Sequence, residues 1–204
     1  MKSDLLTQIK SKFQPGELFM MSDIQRGYMS DAASKKELLK LISSGNITRF
    51  SYGIYYLPGK MEPTVASAIE LRYLRRGDKV YGFYTGDNFL SSINGVSPNL
   101  DEKIEIMSNH ATSGKKSVYM FGKRFVIRKP YVEINKYNAS LVSFLTYISM
   151  SSLSTIKEQY SILANYIRRE HLSANDVMDM AEKFPNKTAS KLISSDLYRS
   201  LWKH

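Results

Sequence analysis

The sequence predicts an α+β protein in two parts: an N-terminal winged helix-turn-helix over residues 1–60, then residues 61–204, a mixed α/β domain (61–139) with a small sheet and a helical C-terminal tail (140–204). Three observations predict it. Two helix-start signals twelve residues apart are followed at once by a β-rich pair of runs around a glycine turn. Residues 61–139 alternate short helical and strand-like runs. From Ser140 onward the apolar spacing is helical throughout.

The first helix is read from Leu5, Leu6, Ile9 and Phe13, and Gln14-Pro15-Gly16 ends it. Ser22 with Gln25 and Ser34 with Glu37 then form two capping boxes, in which a hydroxyl accepts from a first-turn amide and the third residue reaches back. Gly27-Tyr28-Met29 supplies a turn between them, which is helix-turn-helix spacing. Behind Ser34, the stripe Leu38, Leu41 and Ile42 is expected to bury, with Leu39 on its margin. Lys36, Lys40 and Ser43 fall on the opposite side, and Lys35 sits in the first turn. Gly45 stops the helix in a left-handed conformation. Ile47–Phe50 and Ile54–Leu57, joined by Ser51-Tyr52-Gly53, read as a hairpin closed by Pro58-Gly59.

Charge narrows the partner. The chain has 204 residues with 29 Lys+Arg against 19 Asp+Glu, a formal +10, which favours polyanions. In residues 1–60 the excess is modest, nine basic against five acidic, so arrangement outweighs amount. A recognition helix presents its N-terminal residues to base edges and a wing reaches the backbone. The candidate DNA-binding residues are therefore Ser34, Lys35, Lys36, Lys40 and Ser43 on the helix, with Arg49, Tyr52 and Lys60 on and after the wing. The alternative is a protein-interaction module whose lysines solvate one face. The absence of cysteine excludes a disulfide scaffold, a thiolate zinc site, an iron–sulfur cluster and a cysteine nucleophile. Charges within Met1–Phe13 leave no signal-peptide core, and no apolar run has membrane-spanning length. A cytoplasmic protein without a membrane partner is expected.

The runs Gly16-Glu17-Leu18-Phe19-Met20-Met21-Ser22-Asp23-Ile24, Ser34–Arg49 and Gly53-Ile54-Tyr55-Tyr56-Leu57-Pro58 resemble the N-terminal winged helix of AbiEi-type proteins, the antitoxin and autorepressor components of type IV abortive-infection toxin–antitoxin systems. The two-part layout is also similar. Ser30-Asp31-Ala32-Ala33 departs from the pattern, being small and including an acid. The resemblance implies binding of double-stranded DNA at inverted repeats in the protein's own promoter, with room for cooperative binding. It also implies that the second domain counters a nucleotidyltransferase-like toxin without a stable complex, in phage defence. A plain transcriptional regulator without antitoxin activity is the alternative within this class.

In the second part, Thr64 is expected to cap a buried helix carrying Ala68, Ile69, Leu71, Tyr73 and Leu74 and finishing at Gly77. Val80–Tyr84, Lys103–Met107, Val118–Phe121 and Arg124–Arg128 read as strands, with a short helix over Asn88–Ile93. Four tail helices are read: one through Leu141, Phe144, Leu145 and Ile148, then Leu153–Arg169, then one from Ser173 closed by Pro185, then Ser190–Trp202. Lys115, Lys116, Lys123, Arg124, Arg128 and Lys129 form the densest basic run, uninterrupted by any acid, with Tyr119, Phe121 and Phe125 interleaved. Strand alternation sends Arg124, Val126 and Arg128 to one face. This strip reads either as supplementary phosphate contacts or as a solvated sheet face whose charges blunt an edge strand. The aromatics are assigned to the core.

Signs of catalysis are thin. Ser113-Gly114-Lys115-Lys116-Ser117 departs from a phosphate loop, with Asn109 at the first glycine position and Lys116 where a hydroxyl should bind Mg²⁺. His110, His171 and His204 have no metal-ligand spacing, and His110 with Asp87 and a serine lacks a nucleophile elbow. No enzyme activity, no cofactor and no metal are expected.

Overall fold

The computed structural model describes residues 4–24, 30–99, 103–120 and 122–202. Contacts divide the chain into two compact units, Met1–Arg72 and Tyr73–His204, so residues 61–72 cluster with the first unit, twelve residues beyond the boundary read from the sequence. The chain is mixed α+β with small sheets.

In the first unit, Asp4 caps α1 (Leu5–Lys12), its Oδ1 accepting from the Thr7 amide at 2.7 Å. Hydrogen bonds from the Thr7 side chain and then from its amide, made to the ionised form, hold the Asp4 carboxyl below the ordinary range. Leu5, Ile9 and Phe13 bury at a spacing of four, the expected stripe. Gly16 turns the chain at φ +84° into β1 (Leu18–Met20), where Phe19 stacks on Phe13 with ring centroids 4.8 Å apart. A 3-10 turn follows at Met21–Asp23, closed by Asp23 Oδ2 accepting from the Met20 amide. The expected box partner Gln25, Arg26 and the turn Gly27-Tyr28-Met29 lie outside the described residues.

α2 (Asp31–Ser43) carries the central lysines. Its C-terminus behaves as the glycine predicts: Gly45 adopts φ +72°, and the Ile47 amide donates back to the Leu41 carbonyl at 3.1 Å. β2 (Thr48–Ser51) and β3 (Ile54–Tyr56) form the hairpin, with an irregular register between Arg49 and Ser51. All pairs are antiparallel in the order β1-β3-β2, and Phe19, Tyr55 and Arg49 are direct ladder partners on one sheet face. Leu5, Ile9, Phe13, Phe19, Ile24, Leu38, Leu41, Ile47 and Leu57 form the core. Burial of each such side chain favours folding by about 1.5–3 kcal/mol.

Thr64 caps α3 (Val65–Ile69) as expected, exchanging hydrogen bonds with Ser67. The helix then widens into a π-helical turn at Glu70–Leu74. It stops short of Gly77, which instead turns β4 (Arg75–Arg76) into β5 (Lys79–Val80). In the second unit, β6 (Gly82–Tyr84), β7 (Ile104–Ser108), β8 (Lys115–Met120) and β9 (Lys123–Arg128) form a sheet ordered β6-β7-β9-β8. β7 and β9 are parallel; the other pairs are antiparallel. α4 (Asp87–Ile93) lies between β6 and β7, and its buried Asn88 accepts from the Glu105 amide at 3.0 Å.

The tail contains more helices than its periodicity suggests. α5 (Ala139–Met150) is buried from Val142 through Ile148, so it is the central helix of this unit. The expected helix over 153–169 is broken at Gln159 into α6 (Leu153–Glu158) and α7 (Tyr160–Arg169). Ser173 caps α8 (Ala174–Ala181) as expected, and the last predicted helix divides at Asp196, φ +61°, into α9 (Lys187–Ser194) and α10 (Leu197–Leu201). Phe89 stacks on Tyr147 and meets Tyr166 edge-on within this core. Asn109 clasps the chain after β9, donating to the Ile134 carbonyl at 2.7 Å and accepting from its amide at 2.9 Å.

Lys191 supplies charge to the end of the central helix. Its Nζ donates to the carbonyls of Ile148, Ser149 and Ser151 at 3.3, 2.9 and 2.6 Å. Those carbonyls have no partner inside the helix and carry its negative dipole end. Lys191→Met is expected to lower unfolding stability by about 1–3 kcal/mol, measured by urea denaturation.

Candidate nucleic-acid interface

The rotation of α2 about its axis follows from what it buries. Ser34, Leu38 and Leu41 point inward at relative exposures of 2, 4 and 8%. Lys36, Lys40 and Ser43 repeat the same spacing on the opposite side, and Lys35 and the 63%-exposed Leu39 lie beside them. Lys35, Lys36 and Lys40 are therefore presented to solvent on one side of one helix.

Two sequence expectations are corrected here. The helix cap is Ser30, whose Oγ accepts from the Ala33 amide at 3.2 Å, and the helix begins at Asp31. Ser34 is an interior residue whose buried hydroxyl finds no partner among the described residues, so it is removed from the contact surface. The Ser34–Glu37 pattern satisfies the capping-box rule, but the apolar stripe needs a small inward residue one turn before Leu38, and that place is Ser34. Lys35 and Lys36 accordingly lie in the second turn, and the exposed first turn is Asp31-Ala32-Ala33.

Other candidates keep their surface places with altered surroundings. Lys40 Nζ lies 3.6 Å from Glu37 Oε2, an exposed pair of small energetic weight. Ser43 donates its hydroxyl to the Lys40 carbonyl at 2.9 Å and retains its oxygen lone pairs. Arg49 stacks its guanidinium over the Tyr52 ring, 5.4 Å from the centroid, so the two act as a unit near the hairpin turn. Tyr52 is 80% exposed, and Lys60 is exposed as well. Sequence reasoning missed Arg72, whose guanidinium donates to the Tyr52 carbonyl at 2.7 Å and steadies the tip of the hairpin. Its only sequence signal is a cation inside an apolar helical stripe.

In the second unit, β8 is the sheet edge and the basic run divides by register. Lys115 pairs with Arg128 and Tyr119 with Arg124, placing all four on one face. Lys116 and Lys123 face the other way, and Lys129 is exposed just beyond the strand. The run is free of acid in sequence but not in space: Glu105, brought alongside by the parallel β7–β9 pairing, takes Lys103 at 2.6 Å and Arg128 at 3.6 Å. Arg128 is thus a paired, largely covered cation rather than an open phosphate contact. Partial burial acts to raise the Glu105 carboxyl, but the Lys103 hydrogen bond and the Arg128 charge outweigh it and hold it below the ordinary range. Tyr119 is also corrected: it is 76% exposed, whereas Phe125 is in the core as expected and Phe121 lies outside the described residues.

Among the described residues no cluster of His, Asp and Glu is arranged to hold a metal, and no helix is long and apolar enough to cross a membrane.

The two serines separate by mutation. Ser30→Ala is expected to cost about 1 kcal/mol, while Ser34→Ala, which removes an unsatisfied buried hydroxyl, leaves stability equal or higher; denaturant melts of both report it. Glu105 makes its contribution in a defined pH window. Because its folded-state pKa is lowered, the stabilisation is complete above the usual value of 4.5 and is lost as pH falls through the lower folded value. The stability gap between the parent and Glu105→Gln should be full at neutral pH and close on acidification, followed by thermal melts across pH. Compared with protein-family models, with curated proteins and with solved structures, the chain matches none.

Proposed function

We propose that the first unit is a winged helix that inserts α2 into the major groove of duplex DNA, and that the chain is an autorepressing antitoxin of the AbiEi type. The single observation that carries the DNA-binding reading is the outward stripe of Lys35, Lys36 and Lys40 on α2. The order helix, strand, helix, hairpin and the strand order β1-β3-β2 support it, because that arrangement leaves the hairpin beside the recognition helix as a wing. Arg49, stacked on Tyr52, and Lys60 contact backbone phosphates on the wing side. Ala32 and Ala33, exposed in the first turn, allow close approach to base edges, where an alanine methyl packs on a thymine methyl. The antitoxin part, in which the second unit opposes a nucleotidyltransferase-like toxin without a lasting complex, rests on the resemblance carried by residues 16–58.

Exposed Leu39 in the middle of the lysine stripe favours a second reading, a protein-interaction face. Salt separates the two. With five phosphates contacted, the slope of log K against log salt is about −4.5 for a duplex taken from upstream of the protein's own reading frame. Lys35→Ala with Lys36→Ala should weaken that binding and flatten the slope to about −2.7, with the circular dichroism melt retained. Unchanged affinity would remove α2 from the interface. The same double variant is expected to lose repression of its promoter while still rescuing growth from the neighbouring toxin, read in a paired reporter and growth assay.

A further inference from the structure

Tyr119 is a large aromatic ring on a basic surface with nothing stacked on it among the described residues. Its exposure follows from topology. On β9, Phe125, Val126 and Ile127 are all buried, because that strand lies inside the sheet, whereas β8 is the edge, with Lys115, Lys116, Ser117 and Tyr119 exposed and Val118 and Met120 half-buried. Lys115 and Arg124 bracket the ring on the same face. Along the strand Lys115 lies about 13 Å from Tyr119, and Arg124 is its direct cross-strand partner, about 5 Å away between Cβ atoms. Arg124 donates to Ser117 Oγ at 3.3 Å, which holds it against the hairpin, and no carboxylate among the described residues pairs with it. Neither strand contains an acid, and the nearby Glu105 is already taken by Lys103 and Arg128.

We propose that this face of the β8–β9 hairpin binds single-stranded nucleic acid, with an unstacked base lying on the Tyr119 ring and backbone phosphates against Lys115 and Arg124. The charge calls for a polyanion, and the ring decides which kind. Bases in a duplex are stacked on one another and offer no free face, so a duplex would use the cations and leave the ring idle; a single strand uses both. The site shares no residue with α2 and stands whether or not the first unit docks on duplex DNA.

The test uses full-length protein and fluorescence anisotropy with labelled 12-mers of oligo(dT) and oligo(U), beside a 12-base-pair duplex. Tyr119→Ala should weaken single-strand binding at least about fivefold, and Tyr119→Phe should retain it. Lys115→Ala with Arg124→Ala should weaken it and flatten the salt slope by about 1.4. Lys35→Ala/Lys36→Ala/Lys40→Ala should leave it unchanged while reducing duplex binding, which keeps this site apart from the one proposed above. Crosslinking with 5-iodouridine should map to Tyr119. Preference for one oligomer over the other tells RNA from DNA as the source. The proposal is overturned if neither oligomer binds, if Tyr119→Ala binds as the parent does, or if the triple lysine variant loses single-strand binding. Displacement by poly-glutamate as effective as by unlabelled oligonucleotide would overturn it too, reassigning the face to acidic protein.

Discussion

The inward packing of Leu38 and Leu41, with Ser34 between the helix and the core, sets everything else on the first unit's surface. A helix has one rotational freedom about its axis, and here it is spent on covering two leucines. Exposing them would cost about 1.5–3 kcal/mol each, and turning Lys36 and Lys40 inward would cost far more. The lysines need no contact of their own to be held in place. Gly45 then bends the chain, and the Ile47 amide, tied to the Leu41 carbonyl, starts the hairpin at a fixed distance from the helix end. One apolar stripe and one left-handed glycine thus set the relation between α2 and the hairpin.

The second unit sorts its cations by a different rule. Strand β9 has neighbours on both sides, and its parallel pairing with β7 sets Glu105 beside the partly covered Arg128. Strand β8 has a neighbour on one side only, and its lysines and tyrosine stay in water. Arg124, at the other end of β9, is exposed and stays open like the lysines of β8, so cations that look alike in sequence divide by where Glu105 lies, beside Arg128.

Much of this was legible in residue patterns, and the exceptions have physical causes. The stripe Leu5-Ile9-Phe13, the stop at Gly45, the hairpin, the Thr64 and Ser173 caps and the strands at 104–108 and 123–128 all follow from local rules that tertiary packing did not oppose. Ser34 departs from its expected place because two serines four residues apart can each cap a helix, and only burial of the helix chooses between them. The breaks at Gln159 and Asp196 interrupt runs whose apolar spacing carries on, with no proline or glycine to mark them. At the candidate interface, the exposed lysines of α2 were legible from periodicity. The Glu105–Arg128 pair and the open face of Tyr119 were not, because both depend on which strands are neighbours.

The parallel alignment of β7 with β9 also has a consequence for the order in which the sheet's strands become available during synthesis. Of the two strands inside the sheet, β9 is the last of the four to be synthesised, with β8 made before it and placed outside it. A nascent chain that has reached Ser108 holds two strands with an unfilled edge, and that edge closes only once Arg128 has left the exit tunnel. The β8–β9 pairing is local in sequence, whereas the β7–β9 pairing that joins this hairpin to the open edge is not, and non-local pairings are the slower to form. Translation must therefore pass residue 128 before the four-stranded sheet is complete.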